Sequence, residues 1–346
     1  MNGGLPPSLL QALAAGAGMP WPPGSDEDAD LLLAQAGPEG LLPLMFETPL
    51  PPALTAARER QRAHQRLAAR RAEILLQGLQ RAASALADEP FVVWKGADYA
   101  LRLYARPDLR PMQDLDLLVP RSRLWAACER LERAGARRRP FRGAASRASS
   151  YHERAFELGD VIVELHQAFV QRARHRVDYD VLWARRTALP VLGPHAFRLD
   201  DTDALLAHAL SLAKDELTAP LVRFLDLRLL LERADVAEAA RRAREWRMVR
   251  ALWSALHQAR SLMPEIWTPE LALVADGLLP PRVRSFLARR VLPPPHEQGR
   301  AGVVTRSRQL WRKAFLMDSA WRRLSFAGAH AFAVAEGRWR ARREKP

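Results

Sequence analysis

The chain has 346 residues, 48% of them hydrophobic and 27% charged, with a formal net charge of +14; these are the proportions of an ordinary globular protein of one large or two modest domains. Its single cysteine, Cys128, excludes an internal disulfide framework and fits a reducing cytoplasm. No apolar run approaches the ~18 residues of a membrane span, and no basic residue precedes the apolar piece Leu9–Ala15, which argues against a secretory signal.

The first 24 residues, rich in Gly, Pro and Leu, read as a loose arm with one short helix. Ser25 followed by three acidic residues is a helix start, because carboxylates complement the N-terminal dipole. That helix should end near Gly37-Pro38, and a second should run from Leu41 to Phe46 before the prolines at 49, 51 and 52. From Thr55 to about Ala87, Leu67, Ile74, Leu75, Leu79 and Ala83 recur at helical spacing, which predicts one long amphipathic helix.

The segment Phe91–Val119 follows. It reads as a buried strand ending in Lys95-Gly96, a helix, an Arg-Pro turn and a second strand carrying Asp114 and Asp116. Side chains alternate along a strand, so the two aspartates share one face while Leu115 and Leu117 take the other. Adjacent carboxylates repel each other, and a divalent cation is the commonest way to make such a pair favourable. A helix from about Ser122 to Ala134 comes next, with Leu124, Trp125, Ala127, Cys128 and Leu131 inward and Gly135 at its end.

Beyond an arginine-rich loop (Arg137, Arg138, Arg139, Arg142, Arg147), the strands Tyr151–Leu158 and Val161–Phe169 flank Gly159-Asp160, a dipeptide suited to a hairpin turn. Ile162, Glu164 and His166 share a face of the second strand, so a carboxylate again interrupts an apolar strand. A short helix (Tyr179–Arg186) and a strand pair (Ala188–Leu192, Ala196–Leu199) lead into helices near Asp201–Leu217, Ala219–Ala234, Val236–Arg247 and Val249–Leu262, spaced as in a bundle. Lys214, Asp215, Arg223 and Asp226 on these helices read as inter-helix ion pairs, and His208 as packed. Pro280-Pro281 and Pro293–Pro295 set off a last segment with Trp311, Trp321, Phe326, Phe332 and Trp339 among many arginines. The fold class is α+β: a small mixed sheet with flanking helices, N-terminal helices and a C-terminal helical bundle. The divisions expected are 1–88, 89–200, 201–292 and 293–346.

Strand, Lys-Gly turn, helix, Asp-x-Asp strand and a later strand bearing Glu together resemble the nucleotidyltransferase fold of the DNA polymerase beta type. More narrowly, the chain resembles a largely uncharacterised bacterial nucleotidyltransferase family. The likeness lies in Trp94-Lys95-Gly96, Tyr104, Arg110, Asp114–Val119 and Val163-Glu164-Leu165-His166, and it spans roughly residues 40 to 260. It implies a Mg²⁺- or Mn²⁺-dependent enzyme that transfers a nucleotidyl group from a nucleoside triphosphate, with ATP the expected donor. Asp114, Asp116 and Glu164 would hold metal and act in catalysis, and Lys95, Gly96, Arg110 and His166 would contact the nucleotide; the likeness also allows Lys214, Asp215, Arg223 and Asp226, otherwise ion pairs, a role near it. Ala97 stands where the wider superfamily usually has a serine, which leaves Lys95 to compensate at the phosphate.

The acceptor is open: a protein, a peptide natural product or a small molecule bearing a hydroxyl, with nucleic acid less favoured. Two other readings stand beside this one. One is an antitoxin-type nucleotidyltransferase that modifies a partner protein; the other is a non-catalytic module binding nucleic acid or protein on the same fold. The net charge favours polyanions, but only Lys95, Lys214, Lys313 and Lys345 of the 53 basic residues are lysines, so much of the charge reads as an arginine-biased solvated surface.

Overall fold

Strand β1 (Phe91–Trp94) is buried at all four positions, which demands cover on both faces of its sheet. The computed structural model supplies that cover; it describes residues 26–47, 52, 54–140, 153–170, 174–215, 217–293 and 306–319. The arm, Ser25, Arg142, Arg147, Trp321, Phe326, Phe332 and Trp339 lie outside the described residues. The architecture is α+β. Seven strands form one sheet in the order β3-β4-β5-β2-β1-β7-β6. They are β1, β2 (Asp114–Leu118), β3 (Arg137–Arg138), β4 (Glu153–Leu158), β5 (Val161–His166), β6 (Thr187–Ala188) and β7 (Ala196–Arg198). At the centre β1 pairs antiparallel with β2, and β2 pairs parallel with β5.

One face of the sheet is covered by α3 (Thr55–Ala85) and α5 (Leu124–Arg133), after the shorter α1 (Asp26–Ala36), α2 (Leu42–Met45) and α4 (Gly96–Arg102). The core there joins Leu75 and Leu79 of α3 and Leu131 of α5 to Val93, Leu115, Leu117, Val163 and Leu165 of the sheet. Where α3 crosses β5 there is no room for a side chain on the helix. A Cβ on Gly78 would come within 2.5 Å of Val161 Cγ2. Residues Gly159-Asp160 form the β4–β5 turn, with Gly159 at φ 61°, a left-handed conformation that costs glycine little.

The opposite face carries Val92, Trp94 and Leu118 and packs against a helical layer. That layer comprises α7 (Asp201–Lys214), α8 (Val222–Leu231), α9 (Val236–Glu245) and α10 (Val249–Leu262), which follow α6 (Tyr179–Arg185). Helix α7 is buried along nearly its whole length, and Asp200 caps it by accepting from the Asp203 N–H at 2.7 Å. Among the described residues, three further α-helices follow, α11 (Pro269–Leu278), α12 (Pro281–Phe286) and α13 (Arg306–Phe315). Among the described residues, no helix is long and apolar enough to cross a membrane.

The structure corrects several expectations. Leu67 is 67% exposed and Trp125 is 56% exposed, so neither faces inward. Arg138 and Arg154 each lie 5.7 Å from the Trp125 ring centroid, so the indole is flanked by guanidiniums at the helix edge. The strand expected at Ala188–Leu192 stops at Ala188 and gives way to a 3-10 turn over Pro190–Leu192, because Pro190 has no N–H to offer a ladder. In the arginine-rich loop, Arg137 and Arg138 form the short edge strand β3, and Arg137 pairs with Glu157 at 3.0 Å.

Candidate active site

Lys95, between β1 and α4, takes φ 54° and ψ −133°, a backbone region that side-chain-bearing residues seldom enter. This turn swings the side chain back over the strand end. Its Nζ lies 2.7 Å from Asp116 Oδ1 and 4.1 Å from the centroid of the Trp94 ring. Trp94 and Asp116 are directly opposite in the antiparallel register, so the cation meets an acid and an aromatic face from adjacent strands. Gly96 opens α4 at a tight spot, where a Cβ would lie 3.3 Å from Arg110 Nη1 and 3.4 Å from Met112 Cγ.

The parallel register pairs Asp116 with Glu164 and Asp114 with Ile162, which brings the acid of β5 beside the acids of β2 on one face. One potential ligand atom each from Asp116, Glu164 and His166 falls within 4.8 Å of the other two. Asp114 stands one further step along β2. His166 is fully buried, with Nε2 2.7 Å from Asp116 Oδ1 and 3.5 Å from Glu164 Oε2. Both bonds to Asp116 end on Oδ1, so Oδ2 is uncommitted among the described residues.

Charge is unevenly settled across the group. Burial pushes the Asp116 carboxyl up, but Lys95 and His166 outweigh it and hold the group well below the usual carboxylate range. Burial would likewise lower His166, and its bonds to Asp116 and Glu164 reverse that, raising it above an ordinary histidine. Asp114 goes the other way. Burial, then the negative charges of Asp116 and Glu164, push it up to about 6 against the opposing pull of Lys95 and His166.

Lys95, Asp114 and Asp116 form the floor of a cleft of about 380 Å³. Lys95, Gly96, Arg110, Asp114 and Asp116 line it from the sheet side, and Ser211, Lys214, Asp215 and Arg223 from the α7–α8 side. Gly37, Pro38 and Gly40, from the loop after α1, complete the wall. Glu164 and His166 are not among the lining residues: His166 lies beneath Asp116, and the Glu164 side chain is 27% exposed. Arg110 borders the cleft with its guanidinium engaged by Asp226. Nη2 donates to Oδ2 at 2.6 Å and Nη1 donates to the Pro111 carbonyl at 2.6 Å. Asp226, fully buried on α8, also accepts from the Tyr104 hydroxyl at 2.8 Å.

Of the residues expected at the site, the structure therefore brings Lys95, Gly96, Arg110, Asp114 and Asp116 into one cleft, with Glu164 at Asp116's side. It sets His166 behind Asp116, fully buried and outside the lining of the cleft. Asp226 has its partner in Arg110, in the turn ahead of β2, rather than on a neighbouring helix. A carboxylate inside the apolar run Phe224–Leu231 was the available signal for that. Nothing in the sequence marked the Gly37–Gly40 loop as a wall of the cleft.

The profile of a family described as uncharacterised nucleotidyltransferase matches residues 25–264, well over half of the chain. The chain belongs to this family. Searches of curated proteins and of solved structures find no match. The protein is a nucleotidyltransferase enzyme, and the match begins ahead of residue 40, taking in α1 and the Gly37–Gly40 loop along with the sheet and the helical layer.

Proposed function

We propose that this nucleotidyltransferase uses a divalent cation, Mg²⁺ or Mn²⁺, to transfer a nucleoside monophosphate from a nucleoside triphosphate to an acceptor hydroxyl, with ATP the expected donor. The observation that carries the reading is the crowding of Asp114, Asp116 and Glu164 on two paired strands at the cleft, with Asp114 pushed up to about 6 by burial and by the other two acids. The donor set fits a divalent ion: oxygens of Asp116 and Glu164 converge, Asp114 stands beside them on β2, and Asp116 Oδ2 is uncommitted among the described residues. Asp114, Asp116 and Glu164 would hold it, and when bound it supplies positive charge against the phosphate oxygens.

Each side chain then has a distinct task. His166 holds the Asp116 carboxylate in one orientation from behind. Lys95 is a mobile point charge for a phosphate oxygen once it leaves Asp116. Arg110, its plane set by Asp226, keeps a guanidinium edge beside Gly96 where a phosphate would approach the turn. Glu164 is placed to accept the proton of the acceptor hydroxyl as its oxygen attacks the α-phosphorus. The α–β bridging P–O bond breaks and pyrophosphate departs with the electron pair. Lys95 and His166 offset part of the repulsion among the three acids, and a binding-only role would leave the remainder, which still raises Asp114, without a counter-charge.

The test is a scan of the four nucleoside triphosphates with Mg²⁺ or Mn²⁺ against the purified protein and a cell lysate, read by mass spectrometry. A nucleoside monophosphate mass gain on some acceptor is expected, together with a loss of roughly 10²-fold or more in Asp116→Asn. A folded Asp116→Asn variant with undiminished transfer would sink the assignment.

A further inference from the structure

The cleft has a second charged wall that the carboxylate floor does not explain. It is built by the last turn of α7 and the first turn of α8, joined through a tight bend in which Leu217 takes φ 61°. Arg223 forms an ion pair with Asp215 through Nη1 and donates to Ser211 Oγ at 2.7 Å through Nη2. Lys214 Nζ lies 3.7 Å from Glu153 Oε2. Arg223 is near enough to Lys95 for the two charges to act against each other, and Lys95 acts on Asp215 in turn. Cations from the sheet and the helical layer thus face one another across open space, each steadied by its own acid.

Like charges held this way repel unless an anion comes between them. The carboxylates of Asp114 and Asp116 offer a phosphate no positive charge of their own, so a polyphosphate tail running beyond them needs cations from elsewhere in the cleft. The remaining cationic surface in the cleft is the α7–α8 wall. Arg223 is suited to the task, because its planar fork grips two phosphate oxygens while Asp215 and Ser211 set its orientation. Lys214, with a side chain 36% exposed, adds a mobile charge at the rim.

We infer that Arg223 and Lys214 form the grip for the β- and γ-phosphates, so that the helical layer holds the pyrophosphate leaving group while the sheet acts on the α-phosphate. This rests on the nucleotidyl-transfer reading above. The grip selects triphosphates over mono- and diphosphates and makes inorganic pyrophosphate a product that competes with the donor.

The experiment is calorimetry of the full chain with inorganic pyrophosphate in the presence of Mg²⁺, on the wild type, Arg223→Gln, Arg223→Lys and Lys214→Ala. Arg223→Gln is expected to weaken pyrophosphate binding about tenfold or more, with partial rescue by Arg223→Lys, and Lys214→Ala severalfold. Should Arg223→Gln fail to fold with Asp215 left unpaired, Lys214→Ala, at a half-exposed position, carries the test. Unchanged affinity in a folded variant overturns the role of that residue. A wild type that transfers nucleotide yet binds no pyrophosphate overturns the grip alone, and one that neither transfers nor binds overturns both readings.

Discussion

Lys95 sits in a backbone conformation that costs a side-chain-bearing residue about 1–3 kcal/mol, and its ammonium meets Asp116 as a result. Two substitutions separate the strain from the charge. Lys95→Ala removes the ammonium and keeps the strain, whereas Lys95→Gly removes both. The glycine variant is expected to be the more stable of the two by about 1 kcal/mol, after allowance for glycine's own entropic cost, in denaturant titration. Both should lose nucleotide transfer. An alanine variant as stable as the glycine one would mean that the turn is unstrained.

Asp114 makes a second test at this scale. Its folded value, pushed up to about 6, exceeds that of an unfolded aspartate, so between the two values the folded chain holds a proton that the unfolded chain releases. That contribution to stability is fully present at low pH and is lost as pH rises through about 6. A divalent cation competes with the same proton. Mg²⁺ should therefore raise Tm more at about pH 7.5 than at about pH 5, as read by thermal shift. Equal shifts at both would count against a cation at these carboxylates.

Among the elements, α3 and β5 meet at Gly78 and Val161 without a gap. Gly78→Ala improves helix propensity by about 1 kcal/mol, yet its methyl would sit 2.5 Å from Val161 Cγ2. Overpacking of this kind costs about 1–3 kcal/mol, so the variant should be destabilised in denaturant titration, and Val161→Ala should recover part of the loss. Much of this level is legible in the sequence, because strand alternation and helical spacing are local. They place Asp114 with Asp116 on one face of β2, Glu164 with His166 on one face of β5, and the turn at Gly159-Asp160. The parallel pairing that sets Asp116 beside Glu164 is not local and leaves no trace in either strand alone. The acid that fixes the Arg110 guanidinium, Asp226, is hidden for the same reason, since it lies 116 residues away. Trp125 reads as core because helical spacing assigns a face without saying how far the neighbouring cover extends.

For the whole molecule, the N-terminal loop is pinned to the helical layer by Glu39. Its carboxylate accepts from the Leu221 N–H at 2.9 Å and its carbonyl accepts from the Val222 N–H at 3.0 Å, which satisfies the start of α8 from a remote part of the chain. The neighbouring Gly40, at φ 69°, packs so closely that a Cβ would meet Val222 Cγ1 at 2.8 Å. Glu39→Ala should cost about 1–2 kcal/mol, comparable to the loss of a helix cap. It should also raise KM for the donor nucleotide, because the loop it anchors is one wall of the cleft. A drop in Tm with KM unchanged would confine the loop to a structural role.

The three walls are supplied by residues near 40, near 100 and near 220 of one polypeptide. During synthesis the Asp-x-Asp strand emerges long before Arg223, and until α8 has cleared the ribosome the loop at Glu39 has nothing to fasten to. On the reading proposed above, a growing chain is expected to stay silent until α8 has emerged, and one terminated ahead of it to lack a wall of its cleft, however well its sheet has formed.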